Sequence, residues 1–414
     1  MKKIICVILC LMMFVLPLCL SGCGGSGGYI GEINVYNWGE YISNGDDDSM
    51  NVIKEFEKRY NIKVNYTNFE TNEEMYNILK NSNSSYDVII PSDYMISKLR
   101  EEGMLLKLNF DNIPNYKNIM EKFRTSSYDP TGEYSVPYSW CVVALAYNTK
   151  MIKEGSVKGF SDLWKEENKG KVLMFNNSRD SMAISMQLCD PPINPGQSNF
   201  TKEDIDRATQ KLIEQKPVVK KYVMDQVFNE MEGSQAGIAP YYAGDIYTMM
   251  DNNPDLTYCL PQEGSNLFVD AMCIPKSSQN KEYAEMFINF MCDPEVALAN
   301  AEYIGYATPN SVAYEMLDEE VRNCDLIYPP DEYLDKCYTF SNINSEIYTY
   351  MQEKFIKACS SSAEVVDMGG GTASKPIYTV IVCILLAAII IATIVMLTLN
   401  IIRAVKNRGR IQKR

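Results

Sequence analysis

Apolar positions in the first quarter of the chain alternate between two rhythms. Ile33–Asn37 is a short apolar run of strand length, and Ser49–Tyr60 then repeats at helical spacing with Ile53, Phe56 and Tyr60 on one face. Ile62–Tyr66 returns to a strand. Thr71 and Glu74 form a capping-box pattern that opens a helix with Met75, Ile78 and Leu79 turned inward. "YDVII", Tyr86–Ile90, is a buried strand broken at Pro91. Strand, helix, strand, helix, strand predicts a parallel sheet, whose ligands lie outside the carboxyl ends of the strands. Trp38–Tyr41 follows the first such end and Ser92–Tyr94 follows the third, so two loops distant in sequence are expected on one rim.

The pattern restarts at "CVVALAYN" (141–148). "KVLMFN" (171–176), a helix after Asp180, a capped helix over Thr201–Gln215 and "AGIAPYY" make a second α/β unit. "NLFVDAMCIP" (266–275) is another long apolar strand. The helix expected at 281–292 carries Ala284, Phe287, Ile288 and Met291 at one-face spacing. Two α/β lobes joined by crossing strands predict a hinge-closing binding protein with an interlobe cleft.

The two ends carry a different signal. Residues 1–23 read as a secretory leader, with a basic start, an apolar run and small residues. Its end, Leu20-Ser21-Gly22-Cys23, resembles the bacterial lipobox, in which the cysteine becomes lipid-modified; "GGSGG" after it suits a flexible spacer. Residues 376–402 hold no charge, and the run 377–400 predicts a transmembrane helix followed by a basic cytoplasmic tail, 401–414. The Ser/Gly-rich stretch 360–376 is the linker. The expected organisation is therefore a first lobe at 29–140 with roughly 270–312 returning to it, and a second at 141–269 with roughly 313–359 packing on it. The expected location is the extracytoplasmic face of the cell membrane, held by Cys23, the helix, or both.

Charge sharpens this reading. The chain has a net charge of −14, yet eight cations lie in the leader and the tail, which leaves residues 24–376 at −22. The acidity argues against nucleic acid as a partner, because phosphates need Lys and Arg; it is compatible with a cationic ligand, whose local concentration such a field raises, and equally with acidity that serves only solubility. The chain contains no histidine, which removes His-based triads and His metal sites; no metal or cofactor is expected. Thirteen cysteines show no C-x-x-C pair among those between the leader and residue 376, which favours free buried thiols.

In order and spacing, "VYNWGEYI", "FEKRYNIKVNYTNFETNEEMY", "YDVIIPSDYMISKLREEGML", "YSVPYSWCVVALAYN", "DLWKEENKGKVLMF" and "IGYATPN" resemble the spermidine/putrescine-binding proteins of bacterial polyamine ABC importers, over roughly residues 32–357. The resemblance implies a two-lobed periplasmic-binding-protein-like fold. It also implies a polyamine ligand, permease subunits of an ABC importer as partners, and no enzymatic activity. It places ligand contacts at Trp38, Glu40 and Tyr41; at Ser92, Asp93 and Tyr94; at Asn177 and Asp180; at Tyr242 and Asp245; and at Phe268 and Asp270. The spermidine-binding branch usually has Trp where Phe268 and Tyr242 stand and Asp where Asn177 stands, while Asp245 resembles the putrescine-binding branch. The C-terminal apolar run lies outside the usual family pattern.

The chemistry of a polyamine suits that set of residues. Each ammonium needs a charge-assisted acceptor once water is excluded, and Glu40, Asp180, Asp245 and Asp270 offer carboxylates at separate points. Trp38, Tyr94, Tyr242 and Phe268 offer faces to methylenes and cations alike. Taken singly, each residue also has a plain structural reading: Asp180 and Asp245 as helix N-caps, Glu40 and Asp93 as solvated turn residues, Trp38 and Phe268 as core. The competing functions are a glycosidase, for which no carboxylate pair is singled out, a binding lipoprotein for another small solute, and a polyamine sensor without a transport role.

Overall fold

The computed structural model describes residues 28–81 and 85–360. One nine-stranded sheet runs through both halves of this region in the order β2-β1-β3-β9-β4-β7-β5-β6, with β8 on the flank of β4. The strands are β1 (Gly31–Trp38), β2 (Ile62–Phe69), β3 (Val88–Ile89), β4 (Ser135–Asn148), β5 (Val172–Phe175), β6 (Val219–Val223), β7 (Ile238–Tyr242), β8 (Leu256–Cys259) and β9 (Leu267–Cys273).

β1 pairs in parallel with β2 along its whole length, from Gly31 opposite Ile62 to Trp38 opposite Phe69. Its alternation divides two cores. Ile33 and Val35 face the core shared with Phe56 and Phe287, while Tyr36 faces Phe69 and Met75. Helix α1 (Val52–Tyr60) supplies Phe56, whose ring meets Phe287 edge-on at 5.1 Å. The helix starts later than the expected Ser49, because Asn51 takes the cap position and its side chain accepts the Lys54 amide. In α2 (Asn72–Asn81) the Thr71 hydroxyl accepts the Glu74 amide; the Glu74 carboxylate reaches back to the Glu70 amide instead of that of Thr71. Helix α3 (Asp93–Glu101) follows β3.

β4 is longer than the expected strand and is buried along all 14 residues. Its first part pairs antiparallel with β9 and its last part with β7 and β8, so it is the element common to both halves of the sheet. The register breaks between Pro137 and Ser139, where proline has no amide to donate. Beyond it, β5 runs parallel to β6 and touches β7 at Val172 opposite Ile238. Helix α4 (Ser178–Gln187) follows β5, and α5 (Lys202–Gln215) opens on a reciprocal capping box between Thr201 and Asp204. Helix α6 (Ala243–Asn252) follows β7. Helix α7 (Lys281–Met291) buries Ala284, Phe287, Ile288 and Met291 against β1. After α8 (Pro294–Ile304), the chain ends its described part in α9 (Ser345–Ser360), which packs on α4 and α5. The eight described cysteines are all free thiols.

One element of the expected fold class is corrected. The described residues form the two-lobed α/β architecture, and no helix among them is long and apolar enough to cross a membrane, so the expected transmembrane helix is not part of the described fold. The longest of them, α9, has 16 residues, about 24 Å at 1.5 Å per residue, short of a bilayer core of about 30 Å. The run 377–400, the leader with Cys23, residues 361–376 of the linker and the tail 401–414 lie outside the described residues.

Candidate ligand-binding site

The centre of the site is Asp270 on β9, opposite Ser139 of the shared strand β4. It is buried, and the Tyr41 hydroxyl donates to its Oδ2 at 2.6 Å. Burial pushes its carboxyl up to about 6, against the lowering effect of hydrogen bonds from Tyr41 and Ser92. Its other oxygen, Oδ1, is buried with no partner. A bridge pairs Ser92 with Asp270, which draws the loop after β3 onto the middle of β9.

That bridge brings Asp93 close. Its Oδ1 accepts its neighbour's amide, Tyr94 N, at 2.6 Å, and its Oδ2 is buried without a partner. Burial raises its carboxyl to about 8, with the charge of Asp270 adding to the rise. Ser92 is held by Asn72, whose side chain both accepts the Ser92 amide and donates to its hydroxyl. The Tyr94 hydroxyl donates to Glu73 at 3.1 Å and accepts from Asn72.

Across the sheet, Asn177 caps α4: its Oδ1 accepts the Asp180 amide and its Nδ2 donates to Asp180 Oδ2 at 2.7 Å. Asp180 therefore sits in the first turn of α4, and Asn177 holds the cap position. The Tyr242 hydroxyl also donates to Asp180, at 3.1 Å, and burial raises the Asp180 carboxyl. Asp245, in the first turn of α6, is partly buried and accepts from the Tyr306 hydroxyl at 3.0 Å. Its carboxyl is pushed up to about 7, mainly by burial. Rings link the two sides: Tyr242 meets Phe268 at 5.4 Å, Phe268 meets Tyr306 at 6.1 Å, and Tyr306 meets Tyr41 at 5.5 Å.

The geometry thus ties Tyr41, Ser92, Asp93 and Asp270 into one cluster. Asn177, Asp180 and Tyr242 form a second, and Asp245 joins through Tyr306. Two sequence-predicted residues lie apart from these hydrogen bonds and ring contacts. Trp38 donates its indole N–H to the Ile90 carbonyl at 2.9 Å and packs on Phe69. Glu40 is exposed on a left-handed turn residue (φ 50°) and accepts from Tyr303. Three residues of the site were not singled out by sequence reasoning. Tyr306 lies in "IGYATPN", where its direction is set by α8 ending at the left-handed Gly305. Tyr338 lies close enough to Asp180 to be influenced by its charge. Arg179 adjoins Asp180 in sequence, but its role depends on rings from distant segments.

Among the described residues, none of Asp93, Asp180, Asp245 and Asp270 forms an ion pair with Lys or Arg. Carboxylates in low dielectric without a counter-ion are costly. The arrangement is suited to a ligand that brings its own positive charges, spaced along an apolar body.

A family model described as bacterial extracellular solute-binding protein matches residues 51–323. The spermidine/putrescine-binding periplasmic protein of Escherichia coli is 32% identical over 300 residues, covering 72% of this chain and 83% of that protein. A putative spermidine/putrescine ABC transporter protein from Listeria monocytogenes superposes with a TM-score of 0.73 at 34% identity, covering 80% of this chain and 99% of the other. The spermidine/putrescine ABC transporter substrate-binding protein PotD of Streptococcus pneumoniae superposes with a TM-score of 0.69 at 31% identity, covering 79% and 98%. This chain belongs to the bacterial extracellular solute-binding proteins.

Proposed function

We propose that this protein captures polyamines of the putrescine and spermidine class outside the cytoplasm and delivers them to the permease of an ABC importer. The observation that carries the proposal is the pair of buried, unpartnered carboxylate oxygens, Asp93 Oδ2 and Asp270 Oδ1, on residues brought together by the Ser92–Asp270 bridge. An ammonium donates three hydrogen bonds and accepts none, so it satisfies both oxygens and supplies the missing charge. Asp180 and Asp245 offer acceptors for a second ammonium. Tyr242, Phe268, Tyr306 and Tyr41 offer faces to the methylenes between them, and Trp38 and Tyr94 stand at the rim on the side of β1 and β3. The names of the relatives support the same ligand class. The role is capture and release without turnover.

A thermal-shift panel tests this reading. Putrescine, spermidine, spermine and cadaverine are compared with glucose, maltose and glutamate. A ligand that binds only the folded state adds about 2.7 kcal/mol at a hundredfold excess over its dissociation constant, so a polyamine raises the melting temperature and the sugars leave it unchanged.

A lipid anchor at Cys23 is the proposed tether, supported by the leader and its Leu20-Ser21-Gly22-Cys23 ending. Incorporation of labelled palmitate, abolished by Cys23→Ala, is the expected result; unlabelled wild-type protein contradicts it.

A further inference from the structure

We infer that Arg179 is an interlobe latch: a built-in cation that closes the cleft by stacking on Tyr94 and thereby positions the ligand-binding acids. This goes beyond the proposed function, which assigns Arg179 no part.

Arg179 lies in the first turn of α4, on the half of the sheet formed by β5 and β7. Its guanidinium carbon sits 3.8 Å from the centroid of the Tyr94 ring. Tyr94 belongs to α3, which follows β3 on the other half. Two further rings complete a cage, Phe340 at 5.3 Å and Tyr348 at 5.2 Å. Tyr348 is on α9, which packs against α4 and α5. Part of the cage therefore belongs to the Arg179 side, and Tyr94 comes from the opposite side.

The contact is not a salt bridge. Arg179 pairs with no acid among the described ion pairs; its Nη1 donates to the Ser341 carbonyl at 3.4 Å, and its Nε is buried without a partner. A partly buried guanidinium with no carboxylate partner is held by ring faces, and cation–π attraction strengthens as such a group loses water. Arg179 also acts on the acids of both sides. Its charge lowers the carboxyls of Asp93 and Asp180, each otherwise raised by burial. Closing the cleft brings like charges together, and a fixed cation at the seam offsets that repulsion. A second bond crosses nearby, from the Asn342 amide to Glu101 on α3 at 2.9 Å. Tyr94 is itself held from behind by Glu73 and Asn72 on α2, so its ring is presented as a fixed plate.

Tyr94 therefore acts through Arg179. The test is a double-mutant cycle on the full chain with Arg179→Met, Tyr94→Leu and the pair, plus Arg179→Lys as the conservative variant. Dissociation constants and dissociation rates are measured for putrescine and for spermidine. Each single variant is expected to weaken both amines by a similar factor, about tenfold and at most about thirtyfold, chiefly through faster dissociation. The double variant is expected to be no weaker than the worse single, and Arg179→Lys to recover part of the loss. Additive losses, or a loss confined to one amine, would overturn the latch and make Tyr94 a ligand contact in its own right. Hydrogen exchange on the ligand-free chain provides the arm that does not depend on polyamine binding. Arg179→Met should speed exchange in the first turns of both α3 and α4, with partial recovery in Arg179→Lys. Unchanged exchange in α3 contradicts the proposal even if no polyamine binds.

Discussion

Tyr41 and Asp270, 229 positions apart in the chain, share a buried hydrogen bond of 2.6 Å. The bond joins the turn after β1 to the strand that pairs with β4. It holds the carboxylate in one orientation, with Oδ1 buried and without a hydrogen-bond partner.

Replacing Asp270 with Asn keeps the shape and removes the charge. Truncating one partner of a buried charge pair costs about 2–5 kcal/mol, so polyamine binding should weaken about thirtyfold or more at 1.4 kcal/mol per tenfold. Calorimetry on variants that remain native by circular dichroism measures it. Tyr41→Phe should act more mildly at alkaline pH and more severely near pH 6. The Tyr41 hydrogen bond holds the Asp270 carboxyl down, and its loss lets burial raise that carboxyl further.

The acids also make stability depend on pH. Asp93, Asp245 and Asp270 have folded carboxyls at about 8, 7 and 6, each raised from the usual 3.8 by burial. A raised carboxyl favours the folded state below pH 3.8, and that contribution is lost as pH climbs through the folded value. These three groups should therefore lower the stability of the ligand-free protein between about pH 4 and pH 8. Polyamine should restore it, so the ligand-induced rise in melting temperature grows over the same range. A shift of equal size at pH 5 and pH 8 would show that the carboxyls do not titrate against the ligand.

Glu40→Gln provides the contrast. Its carboxylate is exposed and faces Tyr303, and exposed charge interactions are worth about 0–1 kcal/mol. The expected loss of affinity is less than about fivefold. A loss matching that of Asp270→Asn would place Glu40 on the ligand.

Tyr306→Phe removes the donor to Asp245. A hydrogen bond to a charged group contributes about 1.5–3 kcal/mol, and this one holds the Asp245 carboxyl down, so its loss lets burial raise that carboxyl further. Binding should fall about tenfold or more at pH 6 and less at pH 8. The ratio of affinities at the two pH values is the readout.

The parts of the fold legible in the sequence are those with local causes. Thr201 and Asp204 cap each other three residues apart, and α7 places its four core residues on one face. β4 was half hidden because it is buried throughout, so nothing alternates, and Pro137 reads as a break. In the candidate site, Asp93 was legible as an acid after a strand, and Asp270 as an acid on a late strand through the family resemblance. The outward turn at Glu40 was not, because it depends on a single positive φ. Arg179 was not legible because its partners, the rings of Tyr94, Phe340 and Tyr348, come from segments distant in sequence. Tyr306 was hidden for another reason: its partner lies 61 residues earlier, and only the folded sheet joins them.

The most direct test of the central claim is calorimetric titration of the purified full chain at pH 8 with putrescine and spermidine, with glucose and glutamate as controls. The account predicts saturable binding of one polyamine per chain, lost in Asp270→Asn, and no heat from the controls. Absence of binding by every polyamine at millimolar concentration, or equal binding by wild type and Asp270→Asn, would contradict it.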